Sequence, residues 1–380
     1  MGELSEIWSN KWVKFSFVSI IYILLCVVWT GNLWMLLGLL VIYDIYISKF
    51  MYRLLWRRHK EKKGTSRAYK KVSEWVEAIV FAVVAVTLLR YFVFGMYVIP
   101  TPSMEKSLLV GDYLLVSKLS YGPAVPNTPL AFPLVHNTMP LSQTKKSYSE
   151  AVKWPYHRLK GFGHVKRGDV VVFNFPAGDT VLLEQQNVTY YDVLRAYKAQ
   201  YGQEEGYKRL HKDYTVISRP VDRRENYVKR CVGIAGDSVQ VKGSVLLVNG
   251  KSLGDIPGVQ YVYMIQTNGT AISKQRLDEM GISEEDSRGF DPVEKSYMMP
   301  LTAENADKIS KMSNIVSVTQ YPMTYAERDI FPHDNRYPWS QDNYGPIWVP
   351  KKGVTVSLND STMPFYREII GKYEGNQLEE

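Results

Sequence analysis

The sequence is poor in the residues that most often hold metals or bridge distant parts of a chain. Its 380 residues include two cysteines and six histidines, and none of them falls at metal-ligand spacing. Cys26 lies inside an apolar run and Cys231 inside a strand-like run far away, so we expect no disulfide between them. The composition therefore predicts no metal site, and the folded core must supply the stability.

Signatures of nucleotide and cofactor binding are also missing. The chain has neither a glycine-rich phosphate loop nor a dinucleotide fingerprint, so no cofactor is expected. No Gly-x-Ser-x-Gly occurs, and no histidine context indicates a Ser-His-Asp triad. The net charge of +8 would suit nucleic acid, but ten Lys/Arg and one Glu fall in residues 49–71, between apolar runs. Such a run indicates retention on the cytoplasmic side of a membrane, and no nucleic-acid partner is expected.

The N-terminal quarter of the chain is rich in long apolar runs. Residues 13–30 and 33–47 carry one charge each, and a Gly-Asn turn at 31–32 separates them. A single helix over both runs would be roughly 54 Å long, too long for a membrane core of about 30 Å, so we predict a helical hairpin. A third span is predicted from residue 75 to about 98, with Arg90 near its outer end.

The basic run also orients the predicted spans, because cytoplasmic loops carry the excess of Lys and Arg. The predicted order is a transmembrane hairpin over 1–48, a basic cytoplasmic loop over 49–73, a third transmembrane helix over 74–99, and an extracytoplasmic domain over 100–380. A cleavable signal peptide is not expected. The alternative is two spans, in which 33–47 is an interfacial helix and the basic run lies outside.

The predicted extracytoplasmic domain is mainly β. Runs at 112–118, 169–175 and 227–233 have the composition of strands, and residues 238–250 indicate a hairpin that turns at Lys242-Gly243. A helix is predicted over 190–212. Polar stretches near 122–165, 178–225 and 255–350 are interpreted as insertions on the β scaffold.

A serine and a lysine are the candidate catalytic residues. Ser103 follows Pro100-Thr101-Pro102 just beyond the third apolar run, and its hydroxyl needs a base to become a nucleophile. Lys229 fits that role, since strand alternation places it on one face with an aromatic ring and a thiol, where burial lowers the pKa of an amine. Taken alone, Ser103 also fits a helix N-cap, and Lys229 an exposed lysine of an edge strand. Lys106 offers a second base, at Ser-x-x-Lys spacing.

Three segments, in order along the chain, together resemble the boxes of a known family. The first runs from Tyr97 to Lys118 and contains Pro-Thr-Pro-Ser-Met. The second runs from Lys166 to Pro176 and reads Lys-Arg-Gly-Asp-Val-Val-Val-Phe-Asn-Phe-Pro. The third runs from Tyr227 to Asp237 and reads Tyr-Val-Lys-Arg-Cys-Val-Gly-Ile-Ala-Gly-Asp. They are similar to the nucleophile, second and lysine boxes of the bacterial type I signal peptidases. That resemblance implies a β fold of the signal-peptidase kind.

The resemblance also implies roles for individual residues. Ser103 would be the nucleophile, Lys229 the general base, and Thr101 the side chain that completes an oxyanion hole with the Ser103 N–H. Met104 would line the pocket for a small substrate residue. The segments 97–100 and 222–227, including Tyr97, Pro100 and Tyr227, would hold the substrate as an added strand.

On this interpretation the chain is a membrane-bound endopeptidase that removes signal peptides from exported preproteins. Its partners would be those signal peptides and the lipid bilayer. It would be a multi-pass protein of the plasma membrane with the catalytic domain on the periplasmic side. The alternatives are a catalytically incomplete, membrane-anchored scaffold with a peptidase fold, and a surface adhesion module, which the 27 tyrosines and polar insertions suggest.

Two departures from the family pattern affect these expectations. Lys106-Ser107-Leu108 replaces the family's Pro-Thr-Leu and gives the spacing of penicillin-recognising Ser/Lys enzymes, but the Lys-Thr-Gly strand of those enzymes is missing. The family's final box, Gly-Asp-Asn-Arg followed by Ser-x-Asp-Ser-Arg, is matched incompletely by residues 333–343. We expect that 333–343 is not that box and that the true one lies beyond residue 380.

Overall fold

The structure is a computed structural model that describes residues 10–28, 36, 38–50, 67–142, 144–254, 256–287, 289–322, 330–373 and 376–377. The predicted turn at 31–32 and most of the basic run 49–71 lie outside the described residues. Contacts divide the chain into two compact units. The first comprises Met1–Tyr97, Tyr113–His164 and Phe173–Tyr227, and the second comprises Val98–Asp112, Val165–Val172 and Val228–Glu380.

Two short helical segments near the N-terminus pack against each other in the first unit. Helix α1, Lys11–Tyr22, begins where the Asn10 side chain accepts a hydrogen bond from the Trp12 N–H, and it continues as π-helix over Ile23–Val28. Helix α2, Gly38–Tyr43, likewise continues over Asp44–Ser48. The rings of Phe15 and Tyr43 lie 5.9 Å apart, edge to face. Both predicted apolar runs are therefore helical where the structure describes them.

The third apolar run forms helix α3, Arg67–Phe92, but it ends earlier than predicted. Among the described residues, Lys71–Phe92 is the one helix long and apolar enough to cross a membrane. The prediction of a transmembrane helix over 74–99 is wrong at its outer end, because Phe94–Val98 forms strand β1. An apolar run alone does not distinguish helix from strand, and the aromatic and β-branched residues around Gly95 favour the strand.

The other elements follow in order after β1. The strands are β2 Tyr113–Ser117, β3 Ala124–Val125, β4 His157–Arg158, β5 Val170–Asn174, β6 Thr180–Leu182, β7 Val216–Ser218, β8 Asn226–Arg230, β9 Ser238–Lys242, β10 Val245–Val248, β11 Lys251–Ser252, β12 Tyr261–Thr267, β13 Ser296–Leu301, β14 Ile315–Gln320 and β15 Asn343–Trp348. The helices are α4 Tyr190–Tyr201, α5 Gln203–Asp213, α6 Lys274–Glu279, α7 Glu284–Ser287, α8 Ala303–Ser310 and α9 Met363–Arg367. The three predicted strands at 112–118, 169–175 and 227–233 correspond to β2, β5 and β8.

The first unit contains the β3–β4 and β6–β7 pairs and a helical pair built on a tyrosine-rich core. Helices α4 and α5 occupy the predicted helical range 190–212, and Gly202, at φ 86°, separates them. Leu182 of β6 and Leu210 of α5 are fully buried, together with Tyr190 of α4. This packing fixes β6, and through it β7, against the helices.

The second unit contains two larger sheets. One has the order β11-β10-β9-β15, and its β9–β10 hairpin was predicted. The turn lies at Gly243-Ser244, one residue later than expected, because Val245 pairs with Lys242. Both turn residues have positive φ, at 56° and 66°, as a two-residue hairpin loop requires.

The other sheet of the second unit, β13-β12-β14, carries its own hydrophobic core. Ile265 of β12, Met299 of β13 and Ile309 of α8 are fully buried within it. This part of the stretch interpreted as an insertion therefore folds as a small α/β layer. The pairs β1–β2 and β5–β8 complete the sheet topology, and the boundaries between the two units fall within β1, β5 and β8.

Candidate active site

The backbone leading to Ser103 is extended and then makes a single tight turn. Ile99, which is buried, follows β1, and its N–H donates to the carbonyl of Asp112 at 3.0 Å. Thr101 has extended backbone angles, and Pro102–Met104 forms one 3₁₀ turn. The interpretation of Ser103 as a helix N-cap is wrong, because the cap position of this turn belongs to Thr101. The Ser103 side chain is left for other contacts.

The structure brings Lys229 to Ser103 across 126 positions of sequence. The Lys229 Nζ donates a hydrogen bond to the Ser103 Oγ, and both residues belong to the second unit. Strand β8 carries the lysine, and its chain end is held by the Cys231 N–H, which donates to the Asp169 carbonyl at 2.8 Å. A hydroxyl and an amine in direct contact form the minimal arrangement for base-assisted nucleophilic attack.

The environment of Lys229 differs from the prediction. Alternation along β8 does place Tyr227 and Lys229 on one face, but that face is the more exposed one, whereas Val228 and Arg230 are half-buried. The prediction that Lys229 lies on the buried face of the strand is therefore wrong, because alternation separates two faces without indicating which one the fold covers. Partial burial still lowers the pKa of the Lys229 amine below the ordinary value for lysine.

Lys106, the alternative base, is directed elsewhere. Its backbone has a φ of 66°, and its Nζ donates to the carbonyl oxygen of Gly281. Lys106 therefore does not make the hydrogen bond to Ser103 that Lys229 makes, although its position gives the Ser-x-x-Lys spacing. Arg230, the neighbour of Lys229, donates to the Ser107 Oγ at 2.9 Å, so consecutive residues of β8 hold the turn that carries the serine.

An ion pair that sequence reasoning missed stabilises the loop after β8. The Arg167 Nε lies 2.7 Å from the Asp237 Oδ2, and its Nη2 lies 2.5 Å from Oδ1. Asn249 and the Ile234 N–H each donate to the same carboxylate at 2.9 Å. Asp237 is buried, and the Arg167 guanidinium together with these donors holds its pKa well below the ordinary range. In the sequence, Arg167 belongs to an Arg-Gly-Asp turn signal and Asp237 to a Gly-Asp turn signal. The spacing of the two signals does not indicate that Arg167 and Asp237 form a pair.

The predicted substrate-binding residues have different surroundings. Met104 is buried at 8% exposure, whereas Pro100 and Thr101 are exposed. Tyr227 is 40% exposed, and its ring stacks on that of Phe175 at 4.3 Å. Tyr97 is half-buried and, like Tyr227, belongs to the first unit.

Residues 333–343 form a local network of their own. The Arg336 guanidinium contacts the Asp334 carboxylate at 2.9 and 2.6 Å and donates to the Asp360 carbonyl at 2.5 Å. The Asp334 pKa falls to about 2 because of this pairing. Ser340 is buried, and its Oγ accepts from the Asn343 N–H at 3.1 Å. The Asp–Arg pair is thus engaged with the segment around residue 360, and the expectation that a different segment forms the final box stays a prediction.

Comparisons with known proteins identify a peptidase family. The sequence model of the family "Signal peptidase, peptidase S26" matches residues 72–303, which include Ser103 and Lys229. The chain therefore belongs to this family. Within the described residues, no group of three or more His, Cys, Asp or Glu side chains is placed to hold a metal ion.

Individual relatives are distant. The chain is 24% identical to signal peptidase I of Bacillus licheniformis over 195 residues, 51% of this chain and 59% of the relative. It is 26% identical to signal peptidase I of Haemophilus influenzae over 180 residues, 47% of this chain and 39% of the relative. Signal peptidase I P of Bacillus subtilis subsp. natto is 22% identical over 196 residues, 52% and 58% of the two chains. The chain thus spans roughly two fifths to three fifths of these relatives' lengths.

Proposed function

We propose that this protein is a membrane-bound serine endopeptidase that removes N-terminal signal peptides from exported preproteins, with Ser103 and Lys229 as its catalytic dyad. The observation that carries the proposal is the hydrogen bond from the Lys229 amine to the Ser103 hydroxyl. Membership of the signal peptidase family supports it. The apolar helix that ends at Phe92, eleven residues before Ser103, supports a site that works near a membrane.

The chemistry begins with a neutral Lys229. Its lone pair accepts the Ser103 proton while the Ser103 Oγ attacks the carbonyl carbon of the scissile peptide bond. The resulting oxyanion is stabilised by the Ser103 N–H and the Thr101 hydroxyl. The tetrahedral intermediate then collapses, the C–N bond breaks, and the protonated lysine gives its proton to the leaving amine. Water, deprotonated by Lys229, hydrolyses the ester and regenerates Ser103.

Substrate binding completes the burial that the lysine needs. Lys229 is partly exposed without substrate, and its pKa is already lowered by burial. An extended signal-peptide segment bound beside the dyad would exclude water from the amine and lower its pKa further. Met104, which is buried, would limit the adjoining pocket to small side chains.

The proposed membrane arrangement has three spans, with the N-terminus inside and residues 100–380 outside. Helix α3 supplies one span of sufficient length and apolarity. The packed helices α1 and α2 would form the other two as a hairpin, and the basic run 49–71 would stay in the cytoplasm. The location would therefore be the plasma membrane, with the lipid bilayer as a partner and the dyad on the periplasmic side.

The proposal is tested by cleavage of an exported precursor in detergent, measured for the wild-type chain and for a version extended at its C-terminus. We expect Ser103→Ala and Lys229→Ala each to abolish cleavage, and the double variant to be no worse than either, since the pair acts as a unit. Lys106→Met is the matched control: it removes a lysine three residues from the serine and should retain cleavage, because Lys106 binds Gly281.

The two lengths of chain separate the remaining alternatives. Cleavage by the extended chain alone would support a final box beyond residue 380. Failure of both chains on every precursor would favour the scaffold with an incomplete site. Full activity of Lys229→Ala would contradict the dyad itself.

A further inference from the structure

The first unit contains a cavity of about 580 Å³ whose lining is strongly cationic. Lys146, Lys153, Arg219 and Arg224 contribute positive charge, and Glu150 is the one acidic side chain among the described residues that line it. Neither dyad residue lines this cavity, nor does Thr101, Met104, Tyr97, Pro100 or Tyr227. Of the lining residues, Arg224 alone falls in the segment 222–227, for which the family resemblance implies a role in substrate binding.

The positive charge is only partly neutralised within the fold. Glu150 contacts Lys146 at 2.7 Å and is 3.7 Å from Lys153. Arg219 pairs with Glu225 at 3.1 Å. The hydrogen bonds of the Arg224 guanidinium go to backbone carbonyl oxygens, at 3.4 Å. An anionic ligand would therefore find unneutralised positive charge here.

The wall of the cavity contains a buried amide and two aromatic rings. Asn127 is 6% exposed, and its Nδ2 donates to the Trp154 carbonyl at 3.0 Å, which fixes the orientation of the amide. Its Oδ1 has no hydrogen-bond partner among the described residues. Because this oxygen is buried from solvent, it is not a contact point for a ligand in the cavity. Trp154 and Tyr156, each about half exposed, add apolar ring surface to the lining.

One edge of the cavity is formed by strand β7, and that edge is available for pairing. Among the described strands, β7 pairs with β6 alone. The Arg219 N–H donates to the Asp179 carbonyl at 2.7 Å, and the Thr215 carbonyl accepts from the Leu183 N–H at 3.1 Å. Along an antiparallel strand, the N–H and C=O groups of successive residues point to opposite sides. Thr215 and Arg219 direct theirs toward β6, so the N–H and C=O groups of Val216 and Ser218 point away from it. Both residues line the cavity.

We propose that this cavity is a docking site for an extended peptide segment that carries carboxylate side chains, bound as an added strand on β7. A peptide supplies what both features require: backbone N–H and C=O groups for the strand edge, and negative charge for the cations. A small anion or a lipid headgroup would satisfy the cations alone. This inference goes beyond the proposed function, because docking here does not depend on cleavage.

The strand edge is tested with the full chain carrying Ser103→Ala, so that binding is measured without turnover. The probe is a short fluorescein-labelled peptide of alternating valine and glutamate, and the readout is fluorescence anisotropy. Ser218→Pro removes the outward N–H without removing any backbone bond to β6, and it should weaken binding about tenfold. Ser218→Ala keeps the N–H and should bind as the parent does. Equal affinities of the two variants would overturn the proposal.

The charge is tested with a matched pair of lysines in the first unit. Lys153 and Lys208 are both exposed, and each lies 3.7 Å from one carboxylate. Lys153 lines the cavity and Lys208 does not. Lys153→Glu should weaken binding of the probe about three- to tenfold, and Lys208→Glu should not. If Ser218→Pro fails to fold, as judged by circular dichroism, this pair decides the outcome.

The occupant is tested by competition. An alternating valine–lysine peptide should not compete with the probe, and neither should inorganic phosphate or vesicles of phosphatidylglycerol at comparable anion concentration. Competition by phosphate would reduce the site to a simple anion site, and competition by the vesicles that depends on Lys153 would identify a membrane surface instead. Either result would overturn the peptide proposal, and neither would affect the cleavage assay.

Discussion

At the scale of single residues, the protonation state of Lys229 controls the proposed chemistry. A protonated amine cannot accept the Ser103 proton, and burial disfavours the protonated form. The Lys229 pKa is lowered for this reason, so the neutral fraction at a given pH is larger than for an ordinary lysine. We expect kcat/KM for precursor cleavage to rise with pH, with a midpoint below the pKa of an exposed lysine.

The Lys229→Arg variant is a direct control for the pH profile of cleavage. A guanidinium stays protonated throughout the accessible range, so this variant should show no rising limb and no cleavage above background. A wild-type profile that falls with increasing pH across that window would contradict Lys229 as the base. So would an arginine variant that retains the rising limb.

Thr101 is the second residue whose role can be isolated. Its side chain makes no capping bond to the 3₁₀ turn, so removal of the hydroxyl should leave the fold intact. Thr101→Ala should lower kcat about 10²–10³-fold with little change in KM, the usual cost of losing one oxyanion donor. Thr101→Ser keeps a hydroxyl and should restore most of the rate. Equal kcat values for the alanine and serine variants would exclude an oxyanion role.

Some residues of the candidate site were predicted from the sequence, and others were missed. Ser103 and Lys229 were found because each lies in a local motif, and ordered motifs predicted their contact. The exposure of Lys229 matched only the alternative interpretation of an exposed edge-strand lysine, since strand periodicity does not show which side the rest of the chain covers. The Arg167–Asp237 pair was missed because it joins residues 70 positions apart, and neither has a pattern that points to the other.

At the scale of elements, that ion pair holds the loop after β8 to the segment before β5. A depressed carboxylate pKa contributes stability that is present above the unfolded-state pKa and is lost progressively as the pH falls from that value to the folded-state pKa. The wild-type melting temperature should therefore fall as the pH drops below about 4, the ordinary range for aspartate. Asp237→Asn should melt lower at neutral pH and show a smaller acid-induced decrease.

Thermal unfolding followed by circular dichroism measures both effects. Glu205→Gln is a suitable control, because Glu205 also pairs with an arginine, Arg209, but on the exposed surface of helix α5. That substitution should change the melting temperature little, since exposed pairs contribute weakly. An Asp237→Asn protein with wild-type stability at both pH values would contradict the bracing role.

Elements with a strong local signature were predicted well, and short ones were not. Strands β2, β5 and β8 and the β9–β10 hairpin have β-branched runs bounded by turn residues, and the helical pair α4–α5 has polar, non-alternating sequence. Helices α6 and α8 are shorter than three turns, and their formation depends on burial of residues such as Leu277 and Ile309 against β12 and β13. Tertiary packing of this kind leaves little trace in sequence.

At the scale of the whole molecule, the apolar N-terminal quarter differs from the β-rich remainder, and the proposed function places the apolar quarter in lipid. Helix α3 exposes most of its apolar side chains, including Trp75, Ile79 and Phe81, at 56% or more. Exposed apolar surface of that extent on a helix of 22 apolar-rich residues fits lipid contact. The composition alone predicted this division, because hydropathy is a property of local sequence. Composition does not determine the number of spans, because that number depends on whether α1 and α2 both cross the bilayer.

Accessibility of single cysteines distinguishes three spans from two. After replacement of Cys26 and Cys231 by serine, Lys60→Cys and Lys145→Cys are labelled with a membrane-impermeant maleimide on intact cells. Lys145 is chosen because its side chain is exposed, whereas nearby Ser147 is buried at 4% and would label poorly on either side of a membrane. Position 145 should label on intact cells, and position 60 only after permeabilisation, because the proposed topology keeps the basic run in the cytoplasm. Labelling of position 60 from outside would instead place residues 33–47 at the membrane interface and leave the chain with two spans.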